Sequence, residues 1–165
     1  MKAVIVSESH WGNSAASARA IAEGIGSAAR ALSTARATAA ALAGADLVVA
    51  GAPVMAFGLP REDMRERLGA DPSRTKEPPD LSHPSMRSWL EQLPAAKGRF
   101  AAFETRLWWS PGGSTGGIQS GMERAGYRQA AKPRRFIVTG AHGPLRAGEL
   151  EKAKAWGAEL ARAMK

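Results

Sequence analysis

Six consecutive residues, Ser9-His10-Trp11-Gly12-Asn13-Ser14, bring two hydroxyls, a carboxamide and a glycine into one short stretch. An apolar, β-branched run precedes them and a helical pattern follows, so the stretch joins a strand to a helix N-terminus. Such a junction offers unpaired backbone amides and the positive end of a helix dipole to an anion. Ser9 and Ser14 add hydroxyl donors, Asn13 an amide, and Gly12 lets the backbone turn close to the ligand. These donors suit a phosphate. An ordinary strand-to-helix turn with Ser14 as its N-cap would use the same residues, and the residue types alone leave both readings open.

Other chemistries find less support. The 165 residues include no cysteine, which removes disulfides, thiolate metal sites, iron–sulfur clusters and thiol nucleophiles, and leaves any redox chemistry to a bound organic cofactor. His10, His83 and His142 lack metal-ligand spacing. His10 falls beside the candidate phosphate site, whereas His83, just before Pro84 in a polar stretch, is expected to be solvated. Ser9 and Ser14 have no evident His–Asp partnership, so hydrolase chemistry is unsupported. Neither G-x-x-x-x-G-K-S/T nor a G-x-G-x-x-G after the first strand occurs, so a monophosphate fits better than a nucleoside triphosphate or a dinucleotide.

The net charge of +8 is unevenly spread. Basic and acidic residues number ten each through residue 96, then thirteen against five. The basic C-terminal part either favours anionic partners or is only a solvated face. Lys132-Pro133-Arg134-Arg135 enters the last strand and is expected at the sheet end opposite the phosphate loop, yet it forms no recognisable nucleic-acid module. No stretch approaches the roughly 20 apolar residues of a membrane span. The apolar run after Met1 and Lys2 is too brief for a signal segment, so a cytoplasmic location is expected.

The elements that must position the loop follow from hydrophobic patterning. Residues 2–6 read as a buried strand and 14–31 as a helix with Ala18, Ile21, Ala22, Ile25 and Ala29 on one face. Residues 32–38 read as an edge strand and 46–51 as a second buried strand ending in Gly51-Ala52-Pro53. Helices are expected over 61–68, 85–93, 114–124 and 148–164, the last with Leu150, Ala153, Trp156, Leu160 and Met164 on one side. Strands are expected at 100–103 and 135–140, with loops at 69–84 and 104–113. Strands alternating with helices make one α/β domain, residues 1–165: a five-stranded parallel sheet of order 2-1-3-4-5 with helices on both faces and functional loops at the strands' C-terminal ends.

Three stretches then resemble one family. Val6-Ser-Glu-Ser-His-Trp-Gly-Asn-Ser is similar to the flavodoxin phosphate loop, S/T-x-S/T-G-x-S/T, and more closely to its bacterial Y-E-S-x-F-G-N-T form. Gly51-Ala-Pro-Val-Met-Ala-Phe-Gly58 resembles the family's G-G-P-T-H-A-F-G, and Val138-Thr-Gly-Ala-His-Gly-Pro-Leu145 its V-T-G-x-x-G-P-L. The order holds across nearly the whole chain. Ser7, Trp11, Ser14, Val54 and Met55 depart from the pattern, and each weakens a side-chain contact while sparing the backbone amides.

The resemblance implies a flavodoxin-like fold that binds flavin mononucleotide (FMN). Ser9, His10, Trp11, Gly12, Asn13 and Ser14 would surround its phosphate. Pro53, Val54, Met55, Ala56, Phe57 and Gly58 would wall one side of the ring, and Thr105, Arg106, Leu107, Trp108, Trp109, Gly112 and Gly113 the other, with one of the two tryptophans touching flavin. Gly58 would allow a peptide flip on reduction. Arg106 would either favour the reduced anion or be a solvated strand-end residue. The implied function is an FMN electron carrier serving a redox protein partner, expected to be acidic because this chain is basic. The alternatives are an FMN-dependent NAD(P)H:quinone-type reductase and an interaction module that has lost flavin.

Overall fold

Val4, Val6, Val48 and Ala50 alternate along the chain with Ala3, Ile5, Leu47 and Val49, so both faces of these strands are apolar, as in a parallel sheet covered on both sides. The computed structural model, which describes residues 1–71 and 77–165, contains that sheet. β1 (Ala3–Ser7), β2 (Ala29–Ser33), β3 (Leu47–Pro53) and β4 (Arg99–Arg106) run parallel in the order β2-β1-β3-β4. The next column is shared by two short strands. β5 (Arg128–Gln129) pairs with Arg99 and Phe100, and β6 (Arg134–Ile137) pairs with residues 103–106. The fold is therefore the 2-1-3-4-5 arrangement with its fifth position split. Pro133, which has no N–H for a ladder, lies in the gap.

The split moves the basic cluster. Arg135 pairs in register with Glu104, near the C-terminal end of β4, and its Nε lies 3.5 Å from the Glu104 carboxylate. The expectation that Lys132 to Arg135 mark the far end of the sheet is thus corrected, because β5 occupies that end.

Two cores flank the sheet. On one face Val4, Val6, Val48, Phe100 and Ala102 meet Met86 and Leu90 of α4 (Met86–Glu91) and Ile118 and Met122 of α5 (Thr115–Arg124). On the other, Ile5, Val49, Ala101 and Phe103 meet Ile21 of α1 (Asn13–Ile25) and Trp156 and Leu160 of α6 (Glu149–Ala163). Helices α2 (Ala39–Leu42) and α3 (Glu62–Ala70) are shorter. α1 and α6 cross closely: a Cβ on Gly24 would come within 1.9 Å of the Lys154 carbonyl oxygen, and one on Gly157 within 2.2 Å of that of Ile21.

Several boundaries differ from the sequence expectation. α1 stops at Ile25, not residue 31, because Gly26 takes φ 110° and turns the chain, so β2 starts at Ala29. β4 extends through Glu104, Thr105 and Arg106, which were expected in a loop. Leu150 is exposed, leaving Ala153, Trp156 and Leu160 to carry the buried face of α6. Of the expected surface loop at 69–84, Gly69 and Ala70 belong to α3, and residues 72–76 lie outside the described residues.

Candidate functional site

The phosphate-loop candidate begins where β1 ends and turns into α1. Gly12, not Ser14, is the N-cap, at φ 90° and without a side-chain cap bond. A Cβ there would touch nothing within 4 Å, so the left-handed φ rather than crowding is what suits glycine. The amides of Trp11, Gly12, Asn13 and Ser14 find no acceptor among the described residues. Ala15 N donates to Ser9 Oγ at 3.2 Å, which leaves the Ser9 proton free to donate outward. Asn13 and Ser14 are partly committed: Asn13 Nδ2 donates to the His142 carbonyl at 3.2 Å, and Ser14 Oγ shares a 2.8 Å bond with Thr105 Oγ1.

Beneath the loop lies a polar cluster that the sequence did not suggest. Glu8 is fully buried, accepts Met86 N at 2.8 Å, and contacts His10 Nε2 at 2.7 Å and Arg65 Nε at 3.3 Å. His10 is therefore held under the loop by Glu8, with its Nδ1 buried and without a partner among the described residues. His83 is also buried, against the expectation of a solvated residue, and its Nε2 accepts Ser9 N at 3.2 Å. Burial pulls the His83 imidazole below its ordinary value of 6.5, against the opposite pull of Asp80 and Glu8. A neutral ring is what a bond accepted from Ser9 N requires. Because an unfolded histidine takes up its proton near pH 6.5, stability present above that pH is lost as pH falls toward the lower folded value. The melting temperature should fall between about pH 7 and pH 5, and fall less in His83→Gln. Parallel slopes in the two proteins would contradict this.

The opposite wall is built from two loops that lock together. After β3, Met55 and Gly58 exchange backbone hydrogen bonds around Ala56 and Phe57, whose φ values of 42° and 75° place both in the left-handed region. Such non-glycine turns store about 1–2 kcal/mol per residue. The loop after β4 supports them: Gly113 N donates to the Phe57 carbonyl at 3.0 Å, and a Cβ on Gly112 would come within 2.1 Å of that same oxygen. Glu104 holds the second loop from below. It is buried, pairs with Arg106 at 2.9 Å and accepts Ser114 N at 2.7 Å and Thr115 N at 3.2 Å, which caps α5. Arg106 also donates to the Gly112 carbonyl at 2.7 Å, so it is a buried, paired residue and not a solvated one.

Between these walls lies a cavity of about 260 Å³. Of the sequence candidates, Ser9, His10, Trp11, Asn13 and Ser14 line its first side. Pro53, Val54, Met55, Thr105 and Arg106 line the second. Gly12 borders a neighbouring cavity instead, and Ala56, Phe57, Gly58, Gly112 and Gly113 shape the loops without lining it. Trp108 and Trp109 do not line it either; they are 75% and 62% exposed, beside a 68% exposed Phe57. One of the two tryptophans was expected to face the ring, and in the structure both point away from the cavity. The last loop, matched in sequence as Val138 to Leu145 but not assigned to the site, also reaches it: Val138, Ala141 and His142 close the cavity, and the His142 ring lies 4.3 Å from that of Trp11. An arrangement of free amides, a free hydroxyl and an apolar opposite wall can hold a phosphate ester with a flat or apolar body.

The same architecture recurs in solved structures. An archaeal flavodoxin is similar over 99% of both chains, with 20% identity and a TM-score of 0.66. Flavodoxin 1 from Bacillus cereus is similar over 98% of both chains, with 15% identity and a TM-score of 0.67. A flavodoxin from Streptococcus pneumoniae TIGR4 is similar over 98% of this chain and 99% of its own, with 12% identity and a TM-score of 0.68. No protein-family model and no curated protein matches the chain. The fold is flavodoxin-like, and no helix among the described residues is long and apolar enough to cross a membrane.

Proposed function

We propose that this chain binds FMN and carries electrons between redox partners, as a flavodoxin does. One observation carries the reading: four amides that find no acceptor among the described residues stand at the N-terminus of α1, three of them on residues that line a cavity at the C-terminal ends of β1, β3 and β4. The residues fit the phosphate, because the amides of Trp11 to Ser14 and the free Ser9 proton are donors awaiting an acceptor. The fit to the ring is looser. The cavity is slightly below the roughly 300 Å³ at which small-molecule clefts begin, so part of the cofactor would stay exposed to partners.

When bound, FMN supplies the one- and two-electron chemistry. The chain's residues bind, orient and shield it. Pro53, Val54 and Met55 offer an apolar wall that excludes water. Arg106 brings its charge already balanced by Glu104, so it positions the loop more than it presents a free cation. Exposed Phe57, Trp108 and Trp109 provide apolar contact for an acidic redox protein, which the basic chain attracts over distance.

The test is a visible spectrum and an FMN titration of the purified protein. A yellow protein, or an apoprotein that saturates with FMN, is expected; one that stays colourless in excess FMN would overturn the reading. Steady NADH or NADPH turnover without a second protein would assign it to the reductases. Gly12→Asp should bind FMN about tenfold or more weakly than Gly12→Asn, because the two side chains share a shape and a tolerance of the left-handed region but only the carboxylate repels phosphate. Equal affinities would place the phosphate elsewhere.

A further inference from the structure

We infer that His142 is the side chain that meets the bound phosphate from the last loop, donating a ring N–H to one of its oxygens. The inference rests on the FMN reading above. A phosphate monoester carries between one and two negative charges near neutral pH, with its second pKa near about 6. No lysine among the described residues lines the cavity, and its other cationic side chains are committed. Arg106 serves Glu104 and the Gly112 carbonyl, and His10 is tied through Nε2 to Glu8 with its remaining nitrogen buried.

His142 is half-buried, lines the cavity, and has ring nitrogens with no hydrogen-bond or ion-pair partner among the described residues. Three contacts keep it at the phosphate loop. Its ring lies against Trp11, with centroids 4.3 Å apart and planes 39° apart. Its carbonyl accepts Asn13 Nδ2 at 3.2 Å. The next residue, Gly143, presses so closely on Asn13 that a Cβ would come within 2.4 Å of that side chain. Trp11 is itself anchored, donating its indole N–H to the Glu77 carbonyl at 3.1 Å.

The charged groups bordering this pair are few. Around Trp11 they are Glu77 and His10, whose ring meets the indole edge-on at 5.9 Å and is paired with Glu8. On the last loop Arg146 is paired with Glu149. A phosphate held by the free amides would therefore find in His142 a ring that no carboxylate of the described residues already claims.

The experiment measures FMN affinity by quenching of flavin fluorescence at about pH 7.5, where the free phosphate is largely dianionic. Riboflavin, which lacks the phosphate, serves as the comparison ligand. Riboflavin affinity should be the same in wild type and in the His142 variants. His142→Ala should bind FMN about tenfold more weakly than wild type, and His142→Lys at least as tightly as wild type, which separates loss of the contact from loss of folding. FMN binding as tight in His142→Ala as in wild type would overturn this inference alone. Absence of FMN binding to the wild-type protein would overturn the FMN reading and this inference with it.

Discussion

Replacing Glu104 by alanine should lower the stability of the protein by about 3–5 kcal/mol, measured by urea denaturation. The carboxylate is 1% exposed and serves three partners at once: the Arg106 guanidinium, the amides that begin α5, and at longer range Arg135. Its removal leaves a buried cation facing no anion, and two buried or half-buried amides facing no acceptor. Against a typical total of about 5–15 kcal/mol, this is a large fraction. The double variant Glu104→Met/Arg106→Leu should recover part of the loss, because two apolar residues do not leave a lone charge behind. If the single variant were no less stable than the double, the ion pair would be contributing nothing. The single variant should also loosen the loop at residues 107–113, since the Gly112 carbonyl loses a fixed donor when Arg106 is freed.

Gly157→Ala should cost about 1–3 kcal/mol despite alanine's better helix propensity. The new Cβ would meet the Ile21 carbonyl at 2.2 Å, and that oxygen belongs to a helical backbone which cannot swing aside. α1 and α6 must then separate, opening the core around Trp156 and Leu160. Gly24→Ala, on the facing helix, should act on the same crossing, so the two changes together should cost less than their sum. Strict additivity would show that the helices are not moved apart as a unit. FMN affinity should change little, because the crossing lies on the body of α1 and not at its N-terminal end, where the phosphate is proposed to bind.

The elements that read clearly in the sequence were those whose pattern had one solution. Val4, Val6 and Val48 have no polar alternation to satisfy, so they had to be buried strands, and the glycine and serines after the first of them had to turn into a helix. The residues that escaped were polar groups buried by tertiary contact. Glu104 looked like the start of a loop because a charge inside an apolar strand is costly unless it is paired, and its partners Arg106 and Ser114 become visible only once the chain has folded back. His83 looked solvated for the same reason: nothing local announces that Ser9 will donate to it from 74 residues away. For Trp108 and Trp109 the composition favoured burial, while the tight fit of Gly112 against Phe57 closes the loop and leaves both rings outside. The broken fifth strand was hinted at only by Pro133.

That break bears on how the protein behaves at high concentration. An open sheet edge is a template onto which another chain can add a strand, and the usual defences are short segments, proline and charge. Here the outer column beside β4 is two pieces of two and four residues, divided by Pro133 and bearing exposed Arg128, Arg134 and Arg135. An incoming strand would find no continuous row of donors and acceptors, and would have to bring its own charge to meet the arginines. The irregularity that displaced the basic cluster therefore also protects this edge of the sheet from aggregation.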